Sequence, residues 1–415
     1  MIKTKSVKTR FAPSPTGFMH LGSIKAVLFP YFLAKANNGK FLLRIDDTDR
    51  ERSSSVYEED IVNNLKWLNV VWDESFKQSN RKIRYNEIFE LLKENNLIYK
   101  CYETQDELAS IKQQKTLKKK APIITKNDCT INDSTREEYW RFDITQNNFV
   151  FNDIIQGKME FTKTWSDPVI RKPNKDYTYI FSSVIDDIDY EISHIIRGEE
   201  HISNGVIQQA IGDVICKLLF NKNWDIAFAH FPLFLNAEGQ KLSKRNLFDN
   251  FSDLKYLEPE TFYSFVYNSG LSSNHIFSTN VDEYFKEFKL EKYNNTKQTF
   301  NLEILNNINK KILSKKPCPS TEDQYIWDLL IHNSENINHF HKLQNNLKNF
   351  ITNIDQYINI KNLIIEKIDF NEFIKLENKN KNDCYFLIYQ TILQENFGPK
   401  INILFDYIKK IIPKI

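Results

Sequence analysis

The alternation of apolar and polar positions divides the chain into stretches of different grammar. Ser6–Phe11 reads as a short strand and runs into the turn-rich Ala12-Pro-Ser-Pro-Thr-Gly17. A helix is predicted from about Leu21 to Ala36, with Pro30 as a place to bend, since proline removes one helical N–H and crowds the preceding turn. Lys40–Ile45 is a second predicted strand. Val56, Ile61, Leu65 and Leu68 then recur at helical spacing, so a helix is predicted over Val56–Leu68. Strand, helix, strand, helix is the grammar of a parallel α/β sheet.

After about residue 100 the pattern changes. A lysine-rich helical stretch gives way to β-prone pieces at Tyr139–Ile144, Phe149–Ile155 and Met159–Phe161. From Ser193 the earlier grammar resumes, with strand His194–Arg197, helix Ser203–Leu219 and strand Ile226–Phe231. The sheet is therefore expected to be interrupted by an inserted domain. Beyond about residue 305, apolar positions at helical spacing and very few glycines predict an all-helical C-terminal domain.

Composition narrows the class. A chain of 415 residues with 41% hydrophobic and 13% aromatic residues builds real cores, and its length suits two to four domains. No apolar run approaches a membrane span, and Met1-Ile-Lys-Thr-Lys leads into no apolar signal region, so neither membrane insertion nor secretion is expected. Five scattered cysteines fit a reducing cytoplasm. A net charge of only +2 means that any RNA contact comes from local patches. Lys115 with Lys118–Lys120, Lys310–Lys311 with Lys315–Lys316, and Lys409–Lys410 are the candidates; taken singly, each reads as solvated surface.

Two separated segments carry chemistry. Arg10-Phe-Ala-Pro-Ser-Pro-Thr-Gly-Phe-Met-His-Leu-Gly22 lies at a strand-to-helix junction, where unpaired backbone N–H groups and the positive end of a helix dipole suit phosphate. His20 adds a donor for a phosphoryl oxygen, and Gly22 lets a nucleotide approach the backbone. Lys241-Leu-Ser-Lys-Arg245 follows a strand and the turn Asn236-Ala-Glu-Gly239, and supplies cations for charge building on a triphosphate. Each segment alone is weak. A phosphate-cradling turn after the first strand, combined with a basic loop after the last strand of the same sheet, points to ATP.

Met19-His-Leu-Gly22 and Lys241-Leu-Ser-Lys-Arg245 resemble the "HIGH" and "KMSKS" signatures of class I aminoacyl-tRNA synthetases. Arg10-Phe-Ala-Pro-Ser-Pro-Thr-Gly, Leu43-Arg-Ile-Asp-Asp-Thr-Asp-Arg50, Val184-Ile-Asp-Asp187 and His194-Ile-Ile-Arg-Gly-Glu-Glu-His201 are similar to bacterial glutamyl-tRNA synthetases. The resemblance covers roughly residues 6–270. It implies a Rossmann-type parallel-sheet catalytic domain split over 1–100 and 175–240, with an inserted α+β acceptor-stem domain at 101–174. A signature-loop stem-contact region would follow at 241–305, and an all-helical anticodon-binding domain at 306–415. The implied protein is a cytoplasmic monomer without a membrane segment.

The resemblance also implies residue roles. ATP would meet His20, Gly22, Glu200, Lys241 and Lys244, with a backbone contact near Phe234 for adenine; His20, Lys241 and Lys244 would be catalytic. L-glutamate would be held by Arg10, Ala12, Ser14, Asp46, Tyr179, Ser183 and Arg197. The set suits the substrate, since two carboxylates need two guanidinium forks and one ammonium needs a carboxylate, here Asp46. Which arginine takes the side-chain carboxylate stays open, as does a structural salt bridge of Arg10 or Arg197 with Asp46, Asp47 or Glu199. The implied reaction forms glutamyl-adenylate and loads it onto tRNA(Glu), also or instead tRNA(Gln), with Mg²⁺ carried by the ATP phosphates and water. A catalytically inactive tRNA-binding paralogue is the alternative.

Three positions depart from the pattern. Ser23 replaces the second signature histidine, Asp46 stands where many members carry Glu, and Ser183 where Asn is common. Some relatives also carry zinc in the insertion. Here Cys101 and Cys129 stand far apart in sequence and no histidine lies between His20 and His194, so no structural zinc and no other metal site is expected.

Overall fold

The computed structural model describes residues 6–133, 135–235, 239, 250–319, 324–364, 370–377 and 379–411. The chain divides into two compact units, one formed by Met1–Ser252, Val266–His275 and Asp282–Phe300, the other by Asp253–Phe265, Ile276–Val281 and Asn301–Ile415.

In the first unit β1 (Lys8–Phe11) leads through one 3₁₀ turn (Leu21–Ser23) into α1 (Ile24–Ala36). Nearly every residue of α1 from Ile24 to Ala34 is buried, as a helix apolar on all sides requires. It continues through Pro30, whose carbonyl accepts the Thr9 hydroxyl at 2.7 Å. β2 (Lys40–Ile45) lies parallel to β1, with Arg10 opposite Leu42. In α2 (Ser55–Trp67) the Ser54 hydroxyl caps the first turn by accepting from Val56 N–H. Ile61, Leu65 and Leu68 are buried as their spacing predicts, but Val56 is 57% exposed, because it sits in the first turn beyond the covered face. β3 (Glu74–Lys77) adds parallel to β2.

The chain continues through α3 (Lys82–Glu94), β4 (Ile98–Cys101), α4 (Gln105–Leu117), β5 (Tyr139–Phe142), β6 (Asn148–Asp153), β7 (Gly157–Thr162) and β8 (Val169–Arg171). It returns by α5 (Tyr179–Asp189), β9 (His194–Gly198), α6 (Ile202–Phe220), β10 (Ala227–Phe231) and β11 (Phe234–Leu235). β9 and β10 are parallel, with Arg197 opposite His230. β1 comes alongside β9, since Ser193 N–H donates to the Lys8 carbonyl and Lys8 N–H to Ser193 Oγ, each at 2.8 Å. The order β3-β2-β1 followed by β9-β10 reverses direction between β1 and β9, which is the switch point of a doubly wound sheet of Rossmann type.

Residues 148–162 lie in the stretch expected as the insertion, yet their strands extend this sheet. β6 joins β10 in parallel, with Asp153 opposite Phe228, and β7 closes the edge antiparallel to β6. Phe149 and Phe151 accordingly share one core with Phe181, Val184, Ile195 and Phe228. β4, β5 and β8 form a separate antiparallel sheet over a small core of Tyr99, Cys101, Leu108, Ile124 and Tyr139.

After α7 (Pro259–Asn268) and α8 (Asp282–Glu287), β12 (Gln298–Thr299) pairs in parallel with β11. The remaining described chain is helical: α9 (Leu302–Leu313), α10 (Gln324–Leu330), α11 (Ile337–Thr352), α12 (Ile358–Ile364), α13 (Phe370–Leu376), α14 (Lys381–Leu393) and α15 (Ile401–Ile411). It has its own core around Trp327, Phe340, Leu347, Ile388 and Leu404, as the glycine-poor helical pattern predicts. No helix among the described residues is long and apolar enough to cross a membrane.

Candidate active site

The carboxyl ends of β1, β2, β9 and β10 gather the charged residues on which the sequence reading dwells. Arg10, near the end of β1, donates from Nε and Nη2 to the two oxygens of Asp187 at 3.0 and 3.1 Å. Arg44 on β2 is almost wholly buried and forks onto Asp46 at 2.6 and 3.2 Å, with a further bond to Asp187 at 2.8 Å. Burial alone would raise Asp187, yet Arg10 and Arg44 hold it below the usual carboxylate range. Asp46 is pushed up to about 7 by burial, against the pull of Arg44 and with Asp186 adding to the rise. Asp186 in turn accepts from Gln78 at 2.7 Å and from Arg81 at 2.6 Å.

The salt-bridge alternative is thus realised for Arg10, but with Asp187; Asp47 instead accepts from Ser79. The loops after β1 and β2 are tied together by Asp46 N–H to the Pro13 carbonyl at 2.9 Å, which places half-buried Ala12 and exposed Ser14 beside Asp46.

Arg197 differs. It is 6% exposed, and no carboxylate among the described residues lies within salt-bridge reach of it. Its donors end on neutral groups: Tyr179 Oη at 3.1 Å, His230 Nε2 at 3.1 Å, the Gln208 side-chain oxygen at 2.7 Å and the His201 carbonyl at 3.3 Å. Burial lowers its pKa and nearby Arg10 presses the same way, while Tyr179 and, without direct contact, the Asp187 carboxylate oppose. Ser183 belongs to the same network, accepting from Gln208 Nε2 at 2.6 Å. A buried cation with no carboxylate in direct contact, and with Asp187 already shared by Arg10 and Arg44, is a receptor for an anion.

Gln208, His230, Asp153, Arg44 and Asp187 were not singled out as site residues. His230 had a signal, as the one polar residue of β10 in Ala227-Phe-Ala-His-Phe231. Arg44 and Asp187 lie inside the motif strings Leu43–Arg50 and Val184–Asp187 without a role assigned, whereas Gln208 and Asp153 surface only through contacts between elements far apart in sequence.

On the nucleotide side, His20 opens the 3₁₀ turn and its ring lies over Gly22, where a Cβ would stand 2.9 Å from ring atoms. Glycine is therefore required for this ring position. Glu200 is exposed in the turn that opens α6. Phe234 is buried, and the Lys25 ammonium of α1 sits 3.9 Å above its ring while donating to the Pro232 carbonyl at 3.3 Å. Burial lowers Lys25 to about 7, with Glu199 opposing. Lys241 and Lys244 lie outside the described residues.

The thiols are closer than their separation in sequence suggests. Ligand atoms of Cys101, Glu103 and Cys129 all lie within 4.8 Å of one another. The Glu103 oxygens are positioned by backbone N–H groups, from Tyr102 at 3.1 Å and Ile131 at 2.9 Å. A closed zinc site takes four ligands, and this cluster brings together three among the described residues, so it does not fit a closed site.

A switch-point sheet with a His-x-Gly turn after β1 and anion receptors at the strand ends defines a Rossmann-type, ligand-binding α/β protein. The chain belongs to the class I tRNA synthetases: residues 6–312 match the family model "tRNA synthetases class I (E and Q), catalytic domain". Glutamate–tRNA ligase 2 of Ehrlichia canis is 34% identical over 346 residues, covering 79% of this chain and 76% of that protein. Glutamate–tRNA ligase 1 of Anaplasma marginale is 38% identical over 329 residues, covering 76% and 72%. The solved glutamate-tRNA synthetase of Elizabethkingia anophelis has the same fold, with a TM-score of 0.74 over 98% of this chain and 100% of that one at 23% identity.

Proposed function

We propose that this protein is a glutamate–tRNA ligase that activates L-glutamate with ATP and esterifies it to the 3′ end of tRNA(Glu), of tRNA(Gln), or of both. The observation that carries the reading is Arg197, a buried guanidinium surrounded by neutral acceptors at the strand ends. Arg197 takes the side-chain carboxylate of glutamate, because Arg10 is already matched by Asp187. Glutamine in that place leaves the guanidinium unpaired, at a cost of about 3–5 kcal/mol. Asp46, Ala12, Ser14, Tyr179 and Ser183 complete the pocket. Each Asp46 oxygen keeps a lone pair beyond its Arg44 bond for the substrate ammonium.

The α-carboxylate attacks the α-phosphorus of ATP, pyrophosphate leaves, and a ribose hydroxyl of the terminal adenosine then displaces AMP. No protein nucleophile is needed, so the work of the site is positioning and charge stabilisation. His20, Gly22, Glu200 and Phe234 border ATP, Lys241 and Lys244 neutralise the leaving pyrophosphate, and Mg²⁺ enters on the nucleotide. The same reading assigns 101–174 to the acceptor stem apart from β6 and β7, which belong to the catalytic sheet, 241–305 to further stem contact and 306–415 to the anticodon, and makes the protein a cytoplasmic monomer.

Acylation of purified tRNA(Glu) and tRNA(Gln) with labelled glutamate tests this. Transfer to at least one is expected, and its absence from both with a folded enzyme refutes the proposal. We also propose that the chain works without structural zinc; metal analysis finding one zinc per chain contradicts that.

A further inference from the structure

The geometry points to Asp153 and His230 as positioning residues that hold Arg197 for the glutamate carboxylate while leaving its charge unspent, through one fixed imidazole tautomer. The inference rests on the reading that Arg197 receives a substrate carboxylate.

His230 and Asp153 are fully buried side chains. His230 Nδ1 lies 2.7 Å from Asp153 Oδ2, and Nε2 lies 3.1 Å from Arg197 Nε. The Arg197 Nε–H is only a donor, so Nε2 must present its lone pair; the carboxylate is only an acceptor, so Nδ1 must carry the proton. The neutral Nδ1–H form alone satisfies both. The charged groups around the ring agree with it. Burial lowers the His230 pKa, and Arg197 presses the same way, while Asp153 and the more distant Glu200 oppose.

The relay is itself held fast. Asp153 Oδ1 accepts the backbone N–H groups of Ile155, Gln156 and His230 at 3.0, 2.9 and 3.1 Å, which leaves Oδ2 facing the ring. Gln156 Nε2 donates to the His230 carbonyl at 2.8 Å. α6 closes the far side at Gly205, where a Cβ would stand 3.2 Å from His230 Cε1 and 3.3 Å from Arg197 Nη2.

The consequence is electrostatic. A carboxylate in direct contact would neutralise Arg197 as Asp187 neutralises Arg10. A neutral imidazole fixes the same guanidinium and keeps the acid one ring away. The arrangement favours an anionic substrate group over a neutral amide and so sharpens glutamate over glutamine.

The test uses the full-length enzyme in aminoacylation with its tRNA. In Asp153→Asn the three backbone donors keep the amide oxygen toward themselves, so the NH₂ faces Nδ1 and drives the proton to Nε2, against Arg197. The glutamate KM should rise about tenfold or more while the ATP KM stays within roughly twofold. The ¹⁵N signals of His230 should show a protonated Nδ1 in the parent and a protonated Nε2 in the variant. His230→Gln places an amide oxygen where it can accept from Arg197 without help from Asp153. Adding it to Asp153→Asn should therefore recover part of the glutamate KM, which a loss of packing would not do. A parent Nε2–H tautomer, an unchanged glutamate KM despite tautomer reversal, or equal losses for glutamate and ATP each overturn the relay. Arg197→Gln separates the two readings: if it leaves the glutamate KM unchanged, the receptor assignment fails, whatever the relay variants do.

Discussion

Arg10, Arg44 and Arg197 stand at neighbouring strand ends and differ in what balances them. The first two fork onto Asp187 and Asp46, whereas the third hydrogen-bonds only neutral groups and feels Asp187 from beyond contact. Asp46 has a consequence of its own. Burial lifts it to about 7, so below that pH it is largely protonated in the free enzyme. The raised folded value means that its contribution to stability is fully present below the ordinary carboxylate range and is lost as pH rises through about 7. Binding runs the other way, because a substrate ammonium needs the ionised form. The glutamate KM is therefore expected to be level above about pH 7 and to climb toward tenfold per unit below it. A steady-state pH series checks this, and Asp46→Asn should flatten the slope while weakening binding throughout. The motif strings made Arg10, Asp46 and Arg197 legible as candidates. The partner of each guanidinium was not legible, because Asp187, His230 and Gln208 arrive from other elements.

At the scale of elements, spacing located the strands and helices of the sheet well, because period-2 and period-3.6 burial leave a direct trace in sequence. α2 shows both the reach and the limit of that trace. Leu65 is wholly buried, and Leu65→Ala is expected to cost about 2–5 kcal/mol in chemical denaturation. Val56 has the same apolar character but is exposed, and Val56→Ala should change stability by less than about 0.5 kcal/mol. Equal losses would mean that the covered face of α2 is misassigned. The stretch at 148–162 shows a different limit. β6 and β7 read as strands, but which sheet they join depends on a parallel pairing with β10, more than seventy residues on, and local periodicity carries no register.

For the whole molecule, two separate cores predict two unfolding events. Scanning calorimetry should resolve them, and saturating ATP with glutamate should raise only the transition of the unit that holds the strand-end pocket. One transition moved as a whole contradicts that division. By itself the amino-acid sequence determined the parallel α/β grammar and the helical stretch beyond about residue 305, and offered candidate residue types for ATP and glutamate. All of these are written in local spacing and in short strings whose chemistry does not depend on distant partners. Only the tertiary structure decided that Arg10 pairs directly with a carboxylate and Arg197 does not, that Asp153 reaches Arg197 through His230, and that Cys101 and Cys129 meet around Glu103. Those facts depend on which strand ends lie side by side and which groups lose water together, and one-dimensional spacing does not encode either.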